Sequence, residues 1–376
     1  MEFMPNTPVV AGIPTRSVEI FVAFAIIRYY FPTQSIFQRF QPVMPANLTQ
    51  QYHKAEAEYR KATTPDEELK WLQVMFAEMP KHKGTDHLQA TLKQKISQAK
   101  QEIEQFRKTG GKKSGGKSYK IPRQGAGTVV IIGGPNAGKS QLLATLTHAN
   151  PTVAPYPFST TEPQPGMMDW EDVSVQLIDT PPITPDFFEP YMSGYIRAAD
   201  LVLLLVDLDS DDGIDQLQEV IKKLNSGKTR LATGTYIDED DIGLTFTRTF
   251  LVCNKIDTPD AQTRLDLLHE FCPLPFEEYC INATDNNSLT DFRKTIYDAM
   301  NVIRVYTKLP QKKEADFDRP FTIKRGGTLI ELAELIHNDY VKNFRGARVW
   351  GEAVHGGTPV KGDYVLHDKD IVELNS

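Results

Sequence analysis

The sequence predicts an α/β protein in which a doubly wound, mostly parallel sheet follows a helical hairpin and precedes a small α+β domain. Two observations predict the sheet. Between residues 125 and 302, short apolar runs rich in β-branched residues alternate with helical patterns, as in sheets covered on both faces. The first run ends in glycines and opens a helix, which is typical of a phosphate-binding strand–loop–helix unit. Six strands are predicted, at residues 128–132, 167–170, 173–178, 201–206, 250–253 and 278–281.

The segments before the sheet differ in character. Residues 1–43 form an aromatic, proline-containing leader, and one hypothesis is that translation starts at Met44, which mass spectrometry of the native N-terminus would test. Residues 44–106 predict a helical hairpin, with one helix beginning after Thr64 and ending at Pro80 and a longer one beginning near Asp86. Residues 107–124 form a basic, glycine-rich linker, which is either a solvated tether or an RNA contact.

Length, charge and cysteine content limit the class of protein. The 376 residues have room for two or three domains, and a net charge of −7 argues against a generally basic nucleic-acid-binding protein. An odd number of cysteines without metal-ligand spacing predicts buried thiols in a reducing compartment. The apolar run at residues 20–27 is too short to span a membrane. We therefore expect a cytoplasmic protein with no membrane partner.

Residues 133–140 have the spacing G-x-x-x-x-G-K-S after a predicted strand. Glycines let the backbone N–H groups wrap a phosphate, and the following helix points its positive end at the same anion. Lys139 is expected to reach the β- and γ-phosphates, and Ser140 to ligate Mg²⁺. The candidate nucleotide-binding residues of this loop are Gly133, Pro135, Asn136, Ala137, Gly138, Lys139 and Ser140.

Two later residues are candidates for the remaining magnesium ligands. Thr160 lies in the loop before a predicted strand, where its hydroxyl could complete the Mg²⁺ shell when a γ-phosphate is present. Asp179 ends an apolar strand, where its carboxylate could hold Mg²⁺ through water. Lys139, Thr160 and Asp179 are thus the catalytic candidates, and Ser140, Thr160 and Asp179 form the candidate metal set.

The base-recognition candidates follow two further strands. In Asn254-Lys255-Ile256-Asp257, the Asp257 carboxylate can accept from N1 and N2 of guanine, a pair that adenine does not offer, which argues against an ATPase. Asn254 and Lys255 are expected to brace the base pocket. Asn282-Ala283 follows the next strand, where the Ala283 N–H could meet the guanine carbonyl oxygen.

These motifs resemble a known family. Residues 133–140 with residues 156–160 (Tyr-Pro-Phe-Ser-Thr) are similar to the Obg-related translation GTPases. Residues 303–308 and 347–351 are similar to the TGS domain of the developmentally regulated GTP-binding (DRG) proteins. The resemblance covers about residues 80–376. It implies a P-loop GTPase domain at 125–302, a β-grasp TGS domain at 303–376, GTP and GDP as ligands, and a role on ribosomes or structured RNA.

Asn136 bears on a second cation. In related GTPases an Asn at this place helps to hold K⁺ against the phosphates, so the resemblance makes K⁺ a candidate cofactor beside Mg²⁺. The alternative is that Asn simply tolerates the turn. The two interpretations are about equally supported by the sequence.

The sequence departs from the family after Asp179. Pro182 stands where a glycine is expected, Ile183 follows it, and the base loop has Asn282 where the family has Ser. The insertion before Asn254 is also shorter than in DRG proteins. We therefore expect slow GTP hydrolysis that needs a partner or a metal ion to supply what is missing, and a protein regulator is a candidate partner.

Alternatives of other classes stay open. A GTP-dependent scaffold or RNA-binding protein with little turnover shares every nucleotide motif, and single-turnover hydrolysis separates it from a switch. A TGS-bearing synthetase or nucleotide-signalling enzyme is disfavoured because no second catalytic constellation is present. For RNA, the candidate contacts are the linker and the cluster of Lys342, Arg345 and Arg348 beside Phe344. Trp350 is expected in the core.

Overall fold

The computed structural model describes residues 48–62, 65–81, 85–108, 121–147, 162–237, 244–309, 314–337 and 344–375. The predicted leader, most of the basic linker, Thr160 and Lys342 lie outside these ranges. So does Thr64, the predicted cap of the helix that ends at Pro80. Within the described ranges, no helix is both long and apolar enough to cross a membrane.

The N-terminal region contains three helices where a hairpin was expected. They are α1 (Gln50–Lys61), α2 (Pro65–Glu78) and α3 (Asp86–Lys108). The Thr49 side chain caps α1 by accepting from the Tyr52 N–H at 3.1 Å. Buried Tyr52 and Tyr59 of α1 join Met75 of α2 and Leu92 of α3 in one core. The sequence predicts a helical pattern from Leu48 onward but does not separate α1, which is short and mostly polar outside these tyrosines, from the hairpin.

The central domain alternates strands and helices. Its strands are β1 (Thr128–Gly133), β2 (Gln164–Trp170), β3 (Val173–Asp179), β4 (Leu201–Asp207), β5 (Thr229–Ala232), β6 (Tyr236–Ile237), β7 (Thr245–Asn254) and β8 (Glu277–Ile281). Its helices are α4 (Lys139–Leu146), α5 (Pro190–Ala198), α6 (Gly213–Asn225), α7 (Ala261–Phe271) and α8 (Thr290–Ala299). All six predicted strands are present. The sequence missed β5 and β6, which are short, and the first half of β7, with which both pair.

The eight strands form one mixed sheet. Its order is β2-β3-β1-β4-β7-β5, with β6 and β8 also pairing with β7. Among the central strands, β3, β1, β4, β7 and β8 run parallel, while β2 is antiparallel to β3. Apolar residues cover both faces: Val129 and Ile131 of β1 belong to one core, and Val130 and Ile132 to the other. The doubly wound, mostly parallel sheet is confirmed.

Register brings the carboxyl ends of the parallel strands to one edge. Asp179 pairs with Ile131, Gly133 with Leu205, and Asp207 with Asn254. In open α/β sheets, ligands bind outside this edge. The candidate phosphate, metal and base residues therefore converge on one side of the sheet.

The C-terminal domain is a five-stranded sheet with one helix. It contains β9 (Val302–Thr307), β10 (Asp316–Lys324), α9 (Leu329–Ile336), β11 (Gly346–Gly351), β12 (Val354–Val360) and β13 (Asp370–Asn375), with sheet order β10-β9-β13-β11-β12. The predicted capping box opens α9, with the Thr328 N–H donating to Glu331 Oε2 at 3.1 Å. From the sequence alone, Thr328 and Glu331 predict this capping box and a helix to about Tyr340, whereas α9 ends at Ile336. The sequence missed β12, whose two glycines weaken a strand pattern.

Charged contacts join the three regions. Arg304 of β9 donates to Glu171 and, at 3.0 Å, to Asp172 in the turn between β2 and β3. Arg197 of α5 pairs with Glu68 of α2 at 3.3 Å, and Arg60 of α1 donates to the Arg197 carbonyl at 3.0 Å. The central domain is thus held by its neighbours at the β2–β3 turn and at α5.

Candidate functional site

The loop between β1 and α4 has the backbone that a phosphate site needs. Gly133 and Gly138 have positive φ angles of 155° and 88°. A Cβ at Gly133 would lie 2.7 Å from the Leu205 carbonyl oxygen, and one at Gly138 would lie 2.2 Å from Asn254 Nδ2. Both positions therefore require glycine for space as well as for conformation. Asn136 is also left-handed, with φ of 57°, and its exposed side chain leaves the turn interpretation and the K⁺ interpretation both open.

Lys139 is held inside this loop. Its Nζ donates to the Gly134 carbonyl at 2.7 Å and to the Gly133 carbonyl at 3.3 Å, and the residue is 6% exposed. Burial lowers the pKa of Lys139 to about 8, and the charge of nearby Asp179 opposes this shift only in part. An anionic phosphate beside the ammonium would favour its charged form, so the loop is built to receive one.

Ser140 and Asp179 meet at the predicted metal position. The Ser140 hydroxyl donates to Asp179 Oδ2 at 2.5 Å, and Asp179 is fully buried at the end of β3. One hydroxyl and one carboxylate oxygen in contact form a donor pair that fits Mg²⁺, which takes few protein ligands and completes its shell with phosphate and water. The third predicted ligand, Thr160, lies outside the described residues.

Asn254 connects the phosphate loop to the second base loop. Its Nδ2 donates to the Ala137 carbonyl at 2.9 Å, and its Oδ1 accepts from the Ala283 N–H at 3.0 Å. In this structure the Ala283 N–H is directed to Asn254. The bracing role of Asn254 and the contact of Ala283 with a guanine carbonyl stay predictions.

The neighbouring residues shape the base loops. Lys255 has φ of 64°, and its Nζ lies 2.7 Å from Oδ2 of buried Asp207 at the end of β4. Asp257 is exposed, as a carboxylate that must reach a ligand should be. Asn282 closes its own turn by accepting from the Thr284 N–H at 2.9 Å. Sequence analysis missed Asp207, although it ends an apolar strand as Asp179 does.

Comparison with known proteins agrees with this geometry. Residues 128–235 match the family model of the 50S ribosome-binding GTPases, and residues 303–375 match that of the TGS domain. This chain is a TGS-domain GTP-binding protein. The predicted P-loop GTPase domain and TGS domain are confirmed, as is the resemblance to the DRG proteins.

Relatives of this GTP-binding protein span archaea and eukaryotes. A GTP-binding protein of Methanocaldococcus jannaschii is 28% identical, with 82% of this chain and 92% of the relative covered. Developmentally-regulated G-protein 2 of Arabidopsis thaliana is 26% identical, with 82% of this chain and 90% of the relative covered. Ribosome-interacting GTPase 1 of Saccharomyces cerevisiae is 24% identical, with 83% of this chain and 99% of the relative covered. Among solved structures, the Schizosaccharomyces pombe YchF GTPase matches with a TM-score of 0.44 at 15% identity, over 69% of this chain and all of that one.

The loop after Asp179 differs from the rest of the GTP site. Pro182 is buried, and the Ile183 side chain, 1% exposed, packs into the sheet core. The Ile183 N–H donates to the Gly133 carbonyl at 3.1 Å, the same oxygen that Lys139 contacts. Lys223 of α6 donates to the Pro185 carbonyl at 2.7 Å. The segment is therefore anchored to the phosphate loop, the core and a neighbouring helix.

The predicted RNA cluster is described only in part. Arg345 and Arg348 are exposed, but Phe344 packs against the TGS core. Trp350, which was expected in the core, is only half-buried, and the Lys308 ammonium lies 4.5 Å from the centre of its ring. Of the described residues of this cluster, Arg345 and Arg348 are thus the ones that could contact RNA phosphates, and Phe344 is not placed to stack on a base.

Proposed function

We propose that this GTP-binding protein is a cytoplasmic switch that hydrolyses GTP slowly with Mg²⁺ and acts on ribosomes or structured RNA. The observation that carries the proposal is the constellation of Lys139, Ser140 and Asp179 at one end of the sheet. It supplies a buried ammonium for phosphate charge and two oxygen ligands for a metal. Mg²⁺ bound there would neutralise charge that develops on the phosphates.

The slow rate is proposed from the residues after Asp179. Pro182 has no N–H to donate to a γ-phosphate. Ile183, which stands where many GTPases have a water-orienting side chain, is packed in the core. Among the described residues beside Asp179, none thus replaces the water-positioning side chain. A partner protein would have to position the water, or K⁺ at Asn136 would have to stabilise the charge that develops on the phosphates.

The ribosomal role is proposed from relatives. One family model is described as a 50S ribosome-binding GTPase, and the yeast relative is named a ribosome-interacting GTPase. The exposed Arg345 and Arg348 are groups of this chain that could neutralise RNA phosphates. The anchored segment after Asp179 also favours a second candidate, a GTP-dependent scaffold that binds its partner without useful turnover.

Single-turnover GTP hydrolysis by the purified protein tests these proposals. It should be run with and without ribosomes, in potassium and in sodium, with Lys139→Ala as the inactive control. A slow rate that ribosomes accelerate supports the switch. A rate equal to that of Lys139→Ala in every condition rejects hydrolysis and leaves the scaffold. Equal rates in potassium and sodium assign Asn136 to the turn alone.

Ribosome binding needs a separate measurement. If Arg345 and Arg348 contact RNA, replacing both with Ala should weaken ribosome co-sedimentation and reduce its dependence on salt. Arg325, an exposed arginine elsewhere in the same domain, provides the matched control. Equal losses in the two variants would remove the assigned contact.

A further inference from the structure

The cysteines are distributed differently from the sequence expectation. Cys253 and Cys272 are buried, as expected, but Cys280 is exposed on β8. Cys253 and Cys280 lie far apart in sequence, yet they are direct partners in the parallel pairing of β7 with β8. Spacing along the chain gave no sign of a metal site because strand register, not local sequence, brings these thiols together.

A carboxylate joins the two thiols. Glu278 stands two residues before Cys280 on β8, so both side chains lie on the same face of the sheet, which is also the face of Cys253. The three potential ligand atoms of Cys253, Glu278 and Cys280 lie within 4.8 Å of one another. Two sulfurs bound to one tetrahedral zinc ion lie about 3.8 Å apart, given Zn–S bonds of about 2.3 Å. Small side-chain rotations would therefore satisfy a metal.

The neighbours of the cluster favour a bound metal. Cys280 Sγ lies 3.9 Å from Glu278 Oε1, while the other carboxylate oxygen, Oε2, lies 2.9 Å from His269 Nε2 on α7. His269 thus holds Glu278 by the oxygen that faces away from Cys280. Metal-binding side chains are commonly oriented by such a second hydrogen bond. The cluster is also accessible, because the side chains of His269 and Glu278 are 55% and 27% exposed.

We propose that Cys253, Cys280 and Glu278 bind a zinc-like transition metal ion, with His269 as a positioning residue for Glu278. Two thiolates and one carboxylate are ligands that Zn²⁺ accepts, and three protein ligands leave one coordination position for water. The site is distinct from the Ser140–Asp179 pair, whose all-oxygen donors suit Mg²⁺. It lies at the base of the two loops that carry Asn254 and Asn282.

The pairing of the thiols has a consequence for binding. The pKa of Cys280 is lowered, first because the Cys253 thiol donates to it, and the pKa of Cys253 is raised by the same contact. Both must lose their protons to bind the metal, so binding releases protons and should tighten as pH rises.

Cobalt(II) is the probe, because thiolate-bound tetrahedral Co²⁺ gives intense charge-transfer and visible absorption whereas Co²⁺ on oxygen ligands does not. The full-length protein is kept reduced with a phosphine and loaded with Mg²⁺ and GDP, which occupies the oxygen site. One equivalent of Co²⁺ should produce the thiolate spectrum, and Zn²⁺ should displace it. Absence of that spectrum in the folded, reduced wild type overturns the proposal.

Variants assign the ligands. Cys280→Ser, at an exposed position, should lower Co²⁺ affinity by more than 100-fold, and His269→Gln by about 10-fold, as expected for an orienting group. Cys272→Ser is the matched control, since Cys272 is a buried thiol outside the cluster. Circular dichroism verifies that each variant is folded. Equal Co²⁺ spectra in wild type and Cys280→Ser, or a loss equal to that of Cys280→Ser in Cys272→Ser, would refute the assignment.

Discussion

The phosphate loop and the segment after Asp179 border the same site but are built in opposite ways. In the phosphate loop, glycines adopt angles that other residues would not tolerate, and Lys139 is buried as an ammonium on two carbonyls, whose charge an anionic ligand would stabilise. In residues 180–189, Pro181, Pro182 and Ile183 are buried, and the Ile183 N–H is already hydrogen-bonded. The first region is prepared for a ligand, whereas the second contributes to the core.

This difference explains how a GTP site can keep its binding loops while changing its response to the nucleotide. Binding depends on groups that face the ligand, and apart from Asn282 those follow the family pattern. A response needs a segment with two arrangements of similar free energy. Residues 180–189 instead lead into α5, which the N-terminal helices hold through Arg197 and Glu68. We therefore expect nucleotide-state information to pass through this segment only weakly.

The largest expected effect is on base selectivity. Asp257→Asn should weaken GDP binding by about 4 kcal/mol, or about 1,000-fold, because it removes a charged acceptor for two guanine donors. Affinity should shift toward xanthosine diphosphate. Thermal stability should stay nearly unchanged, because Asp257 is exposed. Competition between the two nucleotides measures the shift, and wild-type protein that binds ATP as tightly as GTP would contradict guanine selectivity.

Ile183→Ala should produce the opposite pattern. The side chain is 1% exposed in the sheet core, so truncation should lower the free energy of unfolding by about 3 kcal/mol. GDP affinity and single-turnover hydrolysis should change little, since the side chain does not face the nucleotide. Urea denaturation measures the stability, with Leu267→Ala, 39% exposed on α7, as the control. A stability loss no larger than that of the control would show that residues 180–189 are not anchored.

The unfavourable burial of Lys139 should be visible as a pH dependence. Its pKa is about 8 in the folded protein and 10.5 in the reference state, so between these values the unfolded chain binds more protons. Stability of the nucleotide-free protein should therefore rise with pH, by about 2 kcal/mol from pH 8 to 9.5 at most. Lys139→Met should lack this increment. Parallel pH profiles of the two proteins would mean that the ammonium is not destabilised by burial.

These contrasts also show what the sequence could predict. Gly133, Lys139, Asp179 and Asn254 could be identified from the sequence, because each belongs to a motif of only a few residues. The partners of Asn254 and the role of Asp207 depend on strand register and were not predictable from spacing. The burial of Ile183 was missed for the same reason: its position after Asp179 suggested a ligand-facing loop, and only tertiary packing shows that it faces the core.

The cysteines give the second example. Their spacing predicted buried thiols without a metal site, and Cys253 and Cys272 are indeed buried. Cys280 differs because β8 pairs only with β7 among the described strands, and the face of an edge strand can remain uncovered. Burial at such a position depends on what packs beside the strand, and a single-sequence pattern does not contain that information.

The smallest expected effect tests the comparison most directly. Pro182→Gly introduces an N–H where glycine-bearing GTPases donate to the γ-phosphate. If the segment can reach the phosphate, affinity for a non-hydrolysable GTP analogue relative to GDP should rise about fivefold, equivalent to about 1 kcal/mol for one hydrogen bond. Pro181→Gly is the matched control, because it adds an N–H and chain freedom one residue earlier at an equally buried position.

The structure limits how large the effect of Pro182→Gly can be. The Ile183 N–H holds the next residue on the Gly133 carbonyl, so a glycine at 182 has little freedom to move and its gain should not exceed one hydrogen bond. Isothermal titration with both nucleotides gives the ratio for each variant. If the ratio rises only in Pro182→Gly, residues 180–189 sense the γ-phosphate, and the wild-type protein senses it more weakly because Pro182 has no N–H to donate. An unchanged ratio, or equal changes in both variants, would mean that residues 180–189 do not sense the γ-phosphate in this protein.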